Sequence, residues 1–206
     1  MKIIISNAGK RFNFEWIFKN INYTFTSGNS YALLGPNGSG KSTLLQLISG
    51  STSTSAGSID YYHNEKQIDD DKIFNYLTIA APYLELIEEF TATEMIQFQN
   101  QFKLFLKGIT IEEVLQISML NKDANKQIRN FSSGMKQRLK ISLAVLADVP
   151  IILLDEPTTN LDQQGFEWYL KLMKEFSADR LIIICSNLER EIVFCNEKID
   201  VMNFKQ

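Results

Sequence analysis

Apolar and polar positions change period several times along this chain, and each change marks an element. Tyr31–Leu34, Ile151–Leu154 and Leu181–Cys185 are short all-apolar runs, the pattern of strands buried on both faces. Lys2–Ile5 and Tyr23–Phe25 read as edge strands. Ser58–Tyr62 reads as a strand after the polar turn Ser51–Gly57, leading into a turn at His63-Asn64. Ile73–Ala81 reads as a mixed strand stopped by Pro82, and Ile199–Phe204 as the last strand. Helical spacing appears over Thr43–Ile48 and over Thr93–Leu106, where Met95, Phe98, Phe102 and Phe105 recur. It returns over Ile111–Leu120, Gly134–Ala147 and Gln163–Phe176. Strands alternating with helices predict an α/β fold: a mostly parallel sheet core with an antiparallel edge sheet, and ligands at the strand C-termini. The helical block 93–130 interrupts that alternation. It predicts a small helical subdomain inserted into a single domain of residues 1–206, whose core is 1–92 and 131–206.

Composition narrows the picture. A chain of 206 residues with 45% hydrophobic content suits one globular domain, or one with a small insertion. Net charge is −3 and the Lys and Arg residues are scattered, so no nucleic-acid partner is expected. Cys185 and Cys195 read as buried thiols of a cytosolic protein rather than a disulfide. Met1–Ile5 lacks the features of a secretory signal. The nearest approach to a membrane span, Ile141–Leu154, is cut by Asp148 and Pro150 and falls short of the roughly 18 apolar residues needed. A cytoplasmic protein is expected, with any membrane link made through a partner. Asp69-Asp70-Asp71 reads as a solvated acidic loop, and the single histidine, His63, as a surface residue in a turn.

Three motifs carry chemistry. Gly35-Pro36-Asn37-Gly38-Ser39-Gly40-Lys41-Ser42-Thr43 fits the phosphate-binding loop G-x-x-x-x-G-K-[ST], set between a strand and a helix, and places the chain among P-loop NTPases. Glycines let successive N–H groups face one concavity, and the helix dipole adds positive potential there. Lys41 then serves the β- and γ-phosphates, and the Ser42 hydroxyl serves Mg²⁺. In Ile151–Pro157, four apolar residues precede Asp155 and Glu156 at the strand's C-terminal end. Asp155 is placed to hold Mg²⁺ through water, and Glu156 to orient or deprotonate an attacking water. In Phe131–Arg138, Ser132 can cap a helix whose N-terminus offers N–H groups to an anion.

Together and in this order, the motifs resemble those of the ATP-binding-cassette (ABC) ATPases, the nucleotide-binding domains of ABC transporters, over nearly the whole chain. GPNGSGKST matches the Walker A loop, FSSGMKQR is similar to the signature, ILLDEP matches Walker B with its catalytic glutamate, and Thr159–Asp162 matches the D-loop with Asp162. The resemblance implies ATP and Mg²⁺ as ligands, with Phe12 stacking on adenine and Phe14 as a substitute. It also implies a head-to-tail dimer, homo- or heteromeric, in which Ser132, Ser133 and Gly134 touch the partner's ATP. A transmembrane permease would be driven by dimer closure from the inner face of the cell membrane, with helices 93–130 carrying the motion. Two family residues are missing. No Gln lies near Pro82, and Ser186, with Asn187 adjacent, stands at the place of the switch His. Neither can exchange a proton near neutral pH. Slow hydrolysis is therefore expected. The alternatives are an ATP-dependent dimerisation switch that hardly turns over, or a soluble assembly ATPase of the iron–sulfur type.

Overall fold

Residues 1–205 are those described in this computed structural model, and their strands fall into two sheets. In chain order they are β1 (Lys2–Phe12), β2 (Glu15–Thr26), β3 (Ser30–Leu34), β4 (Ala56–His63), β5 (Lys66–Ile68), β6 (Leu77–Ala80), β7 (Ile151–Asp155), β8 (Leu181–Cys185) and β9 (Glu197–Asp200). The antiparallel sheet has the order β2-β1-β4-β5, and the second sheet the order β6-β7-β8-β3-β9. In the second, β3 pairs in parallel with β8 and β9, and β7 in parallel with β8.

β1 and β2 run well beyond the expected Lys2–Ile5 and Tyr23–Phe25. Their pairing extends from Lys2↔Thr26 to Phe12↔Glu15, with register shifts after Ile5, Ala8 and Lys10. Each bulge inserts a residue and swaps the faces of the strand, so the period-2 pattern stops although the strand does not. Asn7 and Asn20, at φ of 48° and 53°, supply the left-handed backbone that asparagine tolerates.

Three other expectations are corrected. The front half of the segment expected as a strand at Ile73–Ala81 is a 3₁₀ turn, Asp70–Tyr76, in which Ile73 alone is buried. Asp69 begins it and pairs with Lys72 at 2.5 Å. The expected last strand is β9 followed by a 3₁₀ turn, Val201–Phe204, whose start Asp200 caps by accepting from Met202 N. His63 is the last residue of β4, paired with Lys66, and its half-buried ring lies 5.4 Å from that of Tyr76. The turn itself is Asn64-Glu65, both at positive φ, the backbone of a two-residue hairpin.

The helices are α1 (Lys41–Ile48), α2 (Ala92–Phe102), α3 (Ile111–Ile117), α4 (Ser133–Val145) and α5 (Gln163–Phe176). Thr91 with Glu94, and Thr110 with Glu113, form capping boxes that start α2 and α3. α2 stops short of the expected Leu106 because the chain turns extended at Lys103. Phe105 then bridges to Ala147, and Leu106 N donates to Leu146 O at 2.8 Å. α3 stops short of Leu120 because Met119 has a φ of 58°.

The chain divides into two compact units. One comprises Met1–Ile79, Pro150–Asp155 and the stretch from Asp179 onward; the other comprises Ala80–Val149 and Glu156–Ala178. The first has a core in which Ile3, Phe18 and Phe25 join Leu44, Ile48, Leu153 and Ile183. The second holds α2 to α5 and contains the block 93–130 within a wider span. Among the described residues, no helix is long and apolar enough to cross a membrane.

β8 is buried at all five positions. Ile183→Ala, at 0% exposure in its middle, should destabilise the protein by about 2–5 kcal/mol. Chemical denaturation read by fluorescence checks this.

Candidate functional site

β8 lies between β3 and β7 and pairs in parallel with both. Cys185 is opposite Leu33 on one side and Asp155 on the other. Adjacent strands lie about 4.8 Å apart, so three chain segments leave the sheet at one edge within a short span. They are the glycine-rich loop after β3, the carboxylate that ends β7, and the Ser186-Asn187 pair that follows β8.

Gly40 enters α1 at a φ of 102°, and an added Cβ there would lie 2.7 Å from Ile17 Cγ2 on β2. Glycine is required on both grounds. No side chain caps α1, so its first N–H groups depend on another partner. Lys41 is 6% exposed, and its Nζ donates to Gly35 O at 2.7 Å and Pro36 O at 3.2 Å, both in its own loop. Ser39 is 1% exposed, and its Oγ has no hydrogen-bond partner. A buried hydroxyl without a partner costs about 1–3 kcal/mol. The loop thus offers a cation, an unsatisfied donor and a helix N-terminus, the donor set that an anionic phosphate would satisfy. Pro36, Asn37 and Gly38 are exposed, and Ser42 and Thr43 are half-buried in the first turn of α1.

Asp155 is buried at the end of β7, and Glu156 follows with a φ of 45°. A glutamate rarely takes that backbone conformation, which costs on the order of 1–3 kcal/mol and is common where a side chain must be aimed. A turn holds it: Thr159 N donates to Glu156 O at 3.2 Å. After β8, the two residues of the expected switch position separate. Ser186 is fully buried and donates to Glu191, whereas Asn187 is exposed and its Nδ2 donates to Asn37 Oδ1 of the loop at 2.7 Å. Phe12 ends β1 at 50% exposure, with Lys10 Nζ 5.2 Å from its ring centroid; Phe14, in the hairpin turn, is 96% exposed.

In the second unit, Ser132 caps α4 by accepting from Met135 N at 3.2 Å, and Ser132 and Ser133 are exposed. Gly134 lets the helix start close to the 156–162 segment, since a Cβ there would sit 3.2 Å from Asn160 O. Asp162 caps α5, accepting from Gly165 N at 2.8 Å. Sequence reasoning missed Gln137, which is buried and donates to Pro157 O at 2.7 Å, binding α4 to the residues just past Glu156. It also missed two cations of α4. Lys140 Nζ donates to Ala81 O at 3.0 Å, and Lys136 pairs with Glu88. Burial pushes the Lys140 ammonium below its usual range, with the charge of Glu85 opposing that shift. Their spacing of four residues on one helical face was the available signal.

Neither cysteine forms a disulfide. Cys185 is buried, as expected, and Cys195 is only half-buried. Burial pushes the Cys195 thiol up to about 12, partly countered by the Lys198 charge.

Comparison with known proteins comes down on one family. A model described as ABC transporter matches residues 18–159. ABC transporter A family member 8 of Dictyostelium discoideum is 33% identical over 194 residues, covering 90% of this chain and 22% of that protein. The lantibiotic transport ATP-binding protein SrtF of Streptococcus pyogenes is 28% identical over 188 residues, covering 89% of this chain and 78% of that protein. The chain thus spans about a fifth of the Dictyostelium relative and most of the streptococcal one. An ATP-binding cassette solved as a dimer, in a post-hydrolysis state bound to ADP and Pi, shares the fold. Its TM-score is 0.80 at 24% identity, over 96% of this chain and 93% of that one.

The Cys195 thiol ionises near 9 in an unfolded chain and near 12 in the fold. The fold favours its neutral form, so that stability is present below pH 9 and lost as pH rises from about 9 to about 12. Urea midpoints at pH 8 and pH 10.5 should fall further apart in wild type than in Cys195→Ala.

Proposed function

The chain belongs to the ABC transporter family, and on that premise we propose that it is the ATP-binding and ATP-hydrolysing part of a transporter. The loop 35–43 carries the reading. Its buried Lys41 heads an uncapped helix, in one row of strand ends with Asp155 and Asn187. Backbone N–H groups of Gly35–Thr43 and the Lys41 ammonium bind the phosphates and stabilise charge on the transferring phosphoryl group. Lys41 must first release the carbonyls of Gly35 and Pro36. Ser42 and Asp155 hold Mg²⁺, which neutralises charge on the phosphates when bound. Glu156 orients the attacking water and takes its proton. The half-exposed ring of Phe12 gives adenine a stacking face.

Ser132, Ser133 and Gly134 serve a nucleotide held by a second cassette, either a copy of this chain or a related one. The exposure of the two serines at the head of α4 supports this. So does the dimeric state of the cassette with ADP and Pi. Residues 1–92 and 131–206 form the ATP-binding core and about 93–130 the helical subdomain, with Asp162 in the connecting D-loop. The streptococcal relative is, by its name, a transport ATP-binding protein. By analogy this chain works at the inner face of the cell membrane on a separate transmembrane permease, which dimer closure drives.

Turnover by the chain alone is slow in this reading, since Ser186, with Asn187 adjacent, stands in place of the switch His and no Gln lies near Pro82. One preorganised donor to a developing oxyanion is worth about 2.7–4 kcal/mol. The same two departures favour a second reading, an ATP-dependent dimerisation switch. A steady-state ATPase assay with the permease present separates the two, because only the first predicts sustained phosphate release.

Lys41→Ala should weaken Mg-ATP binding by tenfold or more in calorimetry, since Lys41 is the loop's one side-chain cation. Unchanged affinity would remove the phosphate-loop reading. Glu156→Gln should bind ATP normally and lose turnover by about 100-fold or more, because the amide cannot accept the water's proton. Size exclusion with ATP should show that variant as a dimer. A monomer that still binds ATP would count against the shared site.

A further inference from the structure

The hydrolytic roles above leave the buried carboxylate of Glu191 without a task. Glu191 is 2% exposed, in the 3₁₀ turn Glu189–Ile192 that follows β8. A carboxylate is costly to bury unless it is hydrogen-bonded, and here it accepts from Ser186 Oγ. The same Ser186 oxygen accepts from Leu188 N at 2.8 Å, and Ser186 N donates to Leu33 O at 3.3 Å. A serine hydroxyl has one proton. Spending it on Glu191 leaves the lone pairs for Leu188 N, so both bonds are met in one rotamer. The residue between the two tethered ones is Asn187, and it reaches Asn37 in the phosphate loop.

We propose that Glu191 and Ser186 are positioning residues for Asn187, and that Asn187, seated on Asn37, is the uncharged donor that meets the terminal phosphate of the bound nucleotide. The assignment rests on the hydrolytic reading above. Ser186 is excluded from that contact by its burial and its bond to Glu191. Asn187 has the free reach and a carboxamide that donates without carrying charge. The buried pair supplies rigidity: with the hydroxyl or its acceptor gone, Leu188 N loses its partner or its partner's orientation, and the turn that aims Asn187 slackens.

The test uses the full chain with Mg-ATP. Ser186→Ala and Glu191→Ala should each lower kcat by about 10- to 100-fold, the scale of a misplaced contact, with KM for ATP little changed. Glu191→Gln keeps an accepting oxygen and should restore most of the rate. In an Asn187→Ala background, adding Ser186→Ala should cost nothing further, because the hydroxyl acts only through Asn187. An equal loss with and without Asn187 would assign Ser186 a general structural role and overturn the proposal. The Asn187 side-chain amide resonance gives a readout independent of turnover. It should stand apart from those of exposed asparagines in wild type and join them in Ser186→Ala. An amide signal indifferent to Ser186→Ala would also sink the idea. Wild type that binds ATP without turnover, yet shows the shifted signal and its collapse, would overturn the hydrolytic reading and leave the positioning of Asn187 standing.

Discussion

The parallel pairing of β8 with both β3 and β7 is the constraint on which the rest of the site depends. All five residues of β8 are apolar and buried; β7 is buried at all five positions too, with four apolar residues before Asp155. Strands of that kind are stable only inside a sheet covered on both faces, and parallel neighbours must then be joined by long crossovers. The consequence is directional. Every such strand ends at the same edge, so the first residues that cannot be buried apolar groups emerge side by side: Gly35 after β3, Asp155 at the end of β7 and Ser186 after β8. The chemistry collects at one edge because the hydrophobic runs stop in register.

In the second unit α4 ties several segments together. Its N-terminus carries Ser132, its first turns approach Asn160 through Gly134, and Gln137 holds Pro157 O. Lys136 and Lys140 of the same helix hold Glu88 and Ala81 O, at either end of the segment that lacks a glutamine. One helix thus bonds both to the turn after β6 and to the residues past Glu156. The strained φ angles of Glu156 and Asn160, 45° and 67°, fall in the stretch that α4 supports. Strain of about 1–3 kcal/mol per residue persists only where surrounding bonds over-determine the backbone.

Buried polar groups cluster at the phosphate-loop edge of the first unit. Lys41, Ser39, Asp155, Ser186 and Glu191 are all nearly inaccessible to water. Replacing such groups by apolar ones often costs a fold little, whereas leaving one unpaired costs several kcal/mol. Their concentration beyond β3, β7 and β8 points to geometry rather than stability as what they contribute.

Local pattern was enough for much of this. Apolar runs of four or five residues determined β3, β7 and β8, and the fixed spacing of Gly35, Gly40, Lys41 and Ser42 determined the loop, because both depend on neighbours in the chain. The long β1–β2 hairpin escaped because three bulges reset its alternation. The ends of α2, α3 and β9 escaped because single residues such as Met119 and Lys103 leave the helical or extended basin for tertiary reasons. Sequence put Ser186 at the switch position with Asn187 adjacent, and nothing local tells two small polar neighbours apart. Only the folded chain separated them, by burying one against Glu191 and bringing the other to Asn37, 150 residues away. A hydrogen bond between residues so distant leaves no periodic trace, so no local pattern contains it.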